Sequence, residues 1–214
     1  MIETRKKEVT IMADQRNRNN VIVGAPDTQA SGAALIGDPI VESASLPTDA
    51  TTALPEAIGV EAAGFVGEDG LTKTVDRETE PVRDWNGDDV VILQTSHSVT
   101  FGLQFLEAAN AAVLRTVHGD QNVEVGTDGA LTVKENAGEV PHKSFIFEIN
   151  GGNGRKVRVV IPDGQVTETG ETVFSKADVV RYDVTITCFP DADGNKAYIF
   201  FGPIPEGGSG VEEE

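Results

Sequence analysis

Between Gly67 and Glu107 the chain alternates polar and apolar residues in two runs, a period that fits strands and no helix. In the second run Val99, Phe101, Leu103 and Phe105 fall on one face and Ser98, Thr100, Gly102 and Gln104 on the other. In the first, Thr72, Thr74, Asp76, Glu78 and Glu80 alternate with Leu71, Lys73, Val75 and Arg77. The connector, Pro81 to Asp89, is rich in turn residues, and Asn86-Gly87 is its strongest hairpin signal. A long antiparallel hairpin is therefore the spine of the prediction.

The second half continues in strands. Phe145, Phe147 and Ile149 alternate with Ser144, Ile146 and Glu148, Asn150 to Gly154 turns the chain, and Val157, Val159 and Ile161 return. A second hairpin is expected from Val180 to Cys188, through Asp191-Ala-Asp-Gly, to Ala197–Phe201. Short strands are expected at Val21–Gly24 and within Gly32–Val41. One helix is predicted over Leu106–His118, with Leu106, Ala109, Val113, Leu114 and Val117 on its apolar face and Gly119 as its cap. It must pack on the apolar side or the edge of the sheet. No internal repeat is present.

Composition agrees with a turn-rich β protein, since 39% of residues are hydrophobic and 23 Gly and 10 Pro punctuate the chain. The segment 42–62, centred on SLPTDATTALPEA, lacks aromatics and reads as a long loop or arm, with one helical turn at Asp49–Ala53. The expected organisation is an N-terminal arm over 1–20, a β domain over 21–203 and an acidic tail over 204–214. With 17 basic and 35 acidic residues the net charge is −18, which repels nucleic acid. Met1 to Asn20 is the exception, with Arg5, Lys6, Lys7, Arg16 and Arg18 against three acids. It reads either as an arm lying on another copy or as a solvated terminus. No apolar run reaches the ~20 residues of a membrane span, and no signal peptide is visible, so a soluble, unexported protein is expected.

No catalytic or metal constellation emerges. Cys188 is the only cysteine and sits in a strand pattern, as an inert buried thiol would. With 35 acids, neighbouring carboxylates such as Asp88-Asp89 are expected by chance and do not mark a glycosidase. Asp191 to Asn195 resembles a calcium loop only faintly, with its glycine misplaced and no distal glutamate, and a turn explains it better. Gly151 to Lys156 precedes a strand, where a phosphate loop opens a helix. His97, His118 and His142 lack metal-ligand spacing. Trp85, beside Asn86-Gly87, fits a subunit contact better than a ligand platform. Catalytic residues, cofactors and metals are therefore expected to be none. Long arms and sheet edges without a site suggest an assembly component.

Several stretches resemble the tail tube subunit, or major tail protein, of long non-contractile tailed phages of the kind that infect actinobacteria. They include Asn20-Val-Ile-Val-Gly-Ala-Pro26, Leu46-Pro-Thr-Asp-Ala-Thr-Thr-Ala-Leu54, Glu68-Asp-Gly-Leu-Thr72, Asp76-Arg77 and Trp85-x-Gly-Asp-x-Val90. Further matches are Gln94-Thr-x-x-Ser98, His118-Gly-Asp-x-Asn-Val123, Ile161-Pro-x-Gly-Gln-Val-Thr-Glu168, Tyr182-x-Val-Thr-Ile-Thr187 and Phe189-Pro-Asp-x-x-Gly-Asn-Lys-Ala-Tyr198. Their order and number, spread over almost the whole chain, carry the resemblance. Met1–Ile11 reads as an extension before the usual start, and no appended immunoglobulin-like domain is expected.

The resemblance implies a β-sandwich or half-barrel with one flanking helix, forming hexameric rings that stack into a virion tail tube. Its partners would be further copies, the tape-measure protein, and terminator and tail-tip proteins, assembled in the host cytoplasm. Double-stranded DNA would pass through the bore without specific binding. Under that reading Asp76, Glu78, Glu80, Glu148 and Asp183 are candidate bore residues. Arg16, Arg18, Leu46, Thr48, Leu54, Lys73, Arg77 and Trp85 are candidate assembly contacts, those in the arm and the long loop serving between rings. The competing reading is a monomeric β-sandwich that binds carbohydrate or calcium.

Overall fold

The computed structural model describes residues 20–27 and 33–204. Apart from their innermost residues, the basic arm with Arg16 and Arg18 and the acidic tail lie outside these. In chain order the elements are β1 (Ala25–Pro26), β2 (Ala34–Gly37), β3 (Glu61–Gly64), β4 (Thr72–Arg83), β5 (Asp89–Phe105), α1 (Ala111–His118), β6 (Val123–Val125), β7 (Leu131–Val133), β8 (His142–Asn150), β9 (Lys156–Thr169), β10 (Tyr182–Cys188) and β11 (Tyr198–Phe201).

Nine strands make one antiparallel sheet in the order β3-β2-β8-β9-β10-β5-β4, with β1 on β8 beyond β2 and β11 on β9 beyond β10. β6 and β7 pair separately. The sheet is an open half-barrel, because the chain leaving β3 at one end runs on to β5 near the other. There Leu106 N–H donates to Phe65 O, Gly67 N–H donates to Gln104 O, and Val66 bridges Phe105.

Alternation sends Val99, Phe101, Leu103 and Phe105 of β5 inward with Phe145 and Phe147 of β8, Val159 and Ile161 of β9, and Val184 and Ile186 of β10. Helix α1 closes this core with Val113, Leu114 and Val117, all buried as expected. Each fully buried side chain of this size contributes roughly 1.5–3 kcal/mol, so the core lies under α1 and stops short of the outer part of the β4-β5 hairpin, where residues 72–96 are exposed.

The helix is shorter than its sequence pattern. Leu106 is half-buried but not helical, since it extends the sheet pairing beyond β5 through its N–H to Phe65 O, and the helix starts only after Asn110. Glu107 Oε1 then accepts the Phe65 N–H at 3.2 Å, and Asn110 caps the helix by accepting the Ala112 N–H at 2.9 Å. Ala109 is exposed before the first turn. Val21–Gly24 is not a strand, although Val23 N–H donates to Gly151 O, and the strand within Gly32–Val41 narrows to β2 ahead of Pro39.

The expected hairpin of β10 with β11 does not form. Both strands pair with β9 and run in the same direction along it, Cys188 opposite Gly164 and Tyr198 opposite Val160. Pro162 interrupts the β9 edge between them by lacking an N–H. The turn at Asp191–Gly194 is thus a loop out of a divided strand. Asp191 serves it by accepting from the Asp193 and Asn195 N–H groups and from the Tyr198 hydroxyl.

Segment 42–62 is docked, not free. Leu46 and Leu54 pack on the second face of β8 and β9 with Ile40, Ile58, Ile146 and Val160, and Ala50 is 1% exposed. This second cover explains why β8 and β9 are buried on both faces where their sequences read as half-exposed strands. Glu148 lies under it, opposite Arg158 across β8 and β9. Glu148 is only 5% exposed, so the structure places it in a buried ion pair and not on a wall.

Candidate assembly surface

The outer part of the β4-β5 hairpin is the largest described structure without a core. Thr72 pairs with Gly102 and successive pairs run out to Arg83 opposite Asp89, where the turn closes with Asp84 N–H donating to Asp88 O and Gly87 N–H donating to Asp84 O. Gly87 takes φ 91°, which only a residue without Cβ adopts cheaply. The side chain of Asp84 accepts from the Asn86 and Asp88 N–H groups. β10 covers the edge of β5 only from Thr100 to Phe105. Every residue from Thr72 to Ser96 is exposed. The outer hairpin therefore presents two faces and two unpaired edges to solvent.

Its faces differ in charge. Val75 lies opposite Val99 and Lys73 opposite Phe101, so Lys73, Val75 and Arg77 share the face that leads to the core. Asp76 lies opposite Ser98 and Glu78 opposite Ser96, on the reverse face. That reverse face continues across β5 and β10 as Thr100, Gly102 and Gln104 opposite Thr187, Thr185 and Asp183. Thr167 reaches Thr187 by a 2.8 Å hydroxyl contact, and Glu168 lies opposite Thr185. Hydroxyls and carboxylates thus line one continuous surface over four strands. Asp183 is half-buried there, with Arg181 3.6 Å from its carboxylate. Among the described residues neither Lys73 nor Arg77 has an ion-pair partner.

A bulge at Thr95 changes the outer hairpin. Glu78 pairs with Ser96 but Thr79 with Gln94, so one residue of β5 is unmatched and its side-chain alternation reverses. Beyond that point the reverse face carries Glu80 opposite Leu93 and Val82 opposite Val91, and the other face carries Pro81 opposite Ile92. These aliphatic side chains are exposed, as is Trp85 at the tip. The run Val90-Val91-Ile92-Leu93 signals its apolar character, but no residue pattern marks the bulge.

A model of the phage tail tube protein family matches residues 18–202. The chain belongs to that family. Two solved structures with which this tail tube protein shares little sequence also align with it. The tube-terminating cap of an anti-feeding prophage matches at 11% identity and TM-score 0.43, over 89% of this chain and 97% of that one. The sheath/tube terminator of an extracellular contractile injection system, in its extended state, matches at 10% identity and TM-score 0.39, over 63% and 89%. No curated protein matches the chain.

The candidate residues of the tail tube protein thus separate. Asp76, Glu78 and Glu80 share one strand face, Asp183 lies on the same sheet surface, and Glu148 does not. Lys73 and Arg77 lie together on the opposite face, and Trp85 stands at the tip. Leu46 and Leu54 are half-buried, while Thr48 is exposed. Residues 171–181, with exposed Val173, Phe174 and Val179, carry an apolar surface that strand periodicity does not reveal.

Proposed function

We propose that the protein is the structural subunit of a phage tail tube, in which hexameric rings stack and their bore conducts the genome. Its role is structural, not catalytic. The observation that carries this reading is the outer β4-β5 hairpin, exposed on both faces and edges. An isolated two-stranded ribbon is marginal in water, and further copies would supply the missing strands and cover. Ring closure would join β4 of one copy to the open edge of another, with Lys73 and Arg77 at the joint.

The hydroxyl and carboxylate surface of β4, β5 and β10 is the bore wall in this reading, with Asp76, Glu78 and Asp183 on it. Cations there would neutralise phosphates and hold DNA with a salt-dependent affinity. Carboxylates repel it, within a screening distance of about 10 Å at 0.1 M salt. The tape-measure protein would occupy the bore before the genome does, terminator and tail-tip proteins would meet the tube ends, and assembly would take place in the host cytoplasm.

Negative-stain electron microscopy and a mass measurement of the purified chain test this. Rings or tubes are expected. A 22.7 kDa species that stays single at every concentration overturns the reading.

A further inference from the structure

Exposed aromatic side chains stand at the two opposite ends of β5. At its start, the hairpin tip presents Trp85 fully to solvent. At its end, Phe105 pairs with Tyr182 and Gly170 N–H donates to Asp183 O, so the connection 171–181 emerges beyond the strand. Phe174 on that connection is 81% exposed and Val179 59%. β5 has 17 residues, which at ~3.4 Å per residue puts the two ends about 54 Å apart. They cannot meet within one chain.

Close to the two aromatics the unpaired charges are opposite in sign, although residues 171–181 sum to zero, with Lys176 and Arg181 against Glu171 and Asp178. The tip holds Asp84 and Asp88, neither in an ion pair among the described residues, on either side of Trp85. The connection holds Lys176, which has no ion-pair partner among the described residues. Its other charges are Glu171 at the root and Asp178, which Arg181 binds at 3.0 Å. One end is an aromatic between carboxylates and the other an aromatic two residues from an ammonium that has no ion-pair partner among the described residues. A contact between two such different patches is heterologous, and it propagates as an open polymer unless rotation closes it.

We propose that the hairpin tip of one copy docks on the 171–181 connection of a second copy, with Trp85 against Phe174 and Val179 and with Lys176 between Asp84 and Asp88. The proposal rests on the tail tube reading and supplies its axial contact, from each ring to the next. It moves that contact away from segment 42–62, whose apolar side chains are spent on its own sheet.

The full chain provides its own probe, because Trp85 is its single tryptophan. Its emission should shift to shorter wavelength on assembly. Lys176→Glu should raise the protein concentration needed for tubes by about tenfold or more, as loss of a close interfacial charge pair does. Adding Asp88→Lys to that variant, which leaves the turn contacts of the Asp84 carboxylate in place, should restore tubes and the emission shift. The melting temperature of the single subunit should not change in either variant, which separates docking from folding. Tubes from Lys176→Glu at the wild-type concentration, no rescue by the reversed charges, or tubes in which Trp85 still emits as in water would each overturn the docking while leaving the tail tube reading intact. A wild-type chain that never assembles would instead overturn the tail tube reading and the docking with it.

Discussion

Glu148 accepts the Arg158 Nε–H at 2.7 Å, the two residues standing opposite each other on β8 and β9 with their side chains 7% and 6% exposed. Arg158 Nη1 also donates to Asp49 O at 2.8 Å and Thr52 O at 2.9 Å. One buried guanidinium therefore ties segment 42–62 to the sheet. Removing one partner of a buried pair costs about 3–5 kcal/mol, because the other charge is left without compensation. Arg158→Met should lower the unfolding free energy of the subunit by about that amount in urea titration. Glu148→Leu with Arg158→Met should recover part of it, but not the share owed to the two loop carbonyls.

The same docking changes what deletion of Ser45 to Pro55 would do. A free arm would leave the β domain unaffected. Because Leu46 and Leu54 pack with Ile146 and Val160, and Ala50 is buried, the deletion should lower the melting temperature of the single subunit as well as its assembly. An unchanged melting temperature would show that the cover contributes no stability.

Asp49 makes this segment sensitive to acid. The Thr52 hydroxyl, followed by the Thr52 and Thr51 amides, holds its carboxyl well below the usual carboxylate range. A lowered pKa contributes stability that is present above the unfolded value, about 3.9, and is lost as pH falls through the folded one. The stability difference between wild type and Asp49→Ala should therefore be constant from neutral pH to about pH 5 and shrink below about pH 4. Thermal melts across that range check it, and a difference that grows toward acid would contradict it.

Leu114 tests the core under α1. It is 4% exposed between the helix and the sheet, and Leu114→Ala should cost ~2–5 kcal/mol through lost burial and a residual cavity. The subunit should be lost to misfolding before assembly. A soluble variant with the wild-type melting temperature would remove the helix from the core.

The Thr95 bulge can be tested by insertion. One residue inserted between Glu78 and Thr79 would give Thr95 a partner, restore regular alternation along β5 and bring Leu93 and Val91 to the opposite face of the outer hairpin. Because that part of the hairpin touches no core, the subunit should stay folded with an unchanged melting temperature while tube formation is lost. Tubes of normal yield would show that the face is not read by another copy.

The electrostatic account of the bore predicts that Asp76, Glu78 and Glu80, changed together to Lys, slow genome delivery by phage that still build full-length tails. The added cations would bind phosphate, and the delay should weaken as salt rises. Undiminished delivery, with these side chains shown to face the bore, would remove the repulsion mechanism.

Period-two alternation was enough to determine the long hairpin, the β8-β9 hairpin and the two faces of β4, because local sequence sets which side of a strand a residue occupies. Val113, Leu114 and Val117 were legible as a helix face for the same reason, with period 3.6. What covers a face is not local. Ile146 and Glu148 read as outward residues, and only the distant segment 42–62, folding over them, buries them and gives Glu148 a partner in Arg158. Leu106 continued the helical pattern, yet it extends the sheet pairing beyond β5 through its N–H to Phe65 O. The divided strand β10-β11 followed from the missing donor of Pro162 on a neighbouring strand, and the reversed outer face of the hairpin from one unmatched residue, Thr95. Pairing partners, register slips and second covers depend on contacts between residues far apart in the chain, which is why the tertiary structure alone decided them.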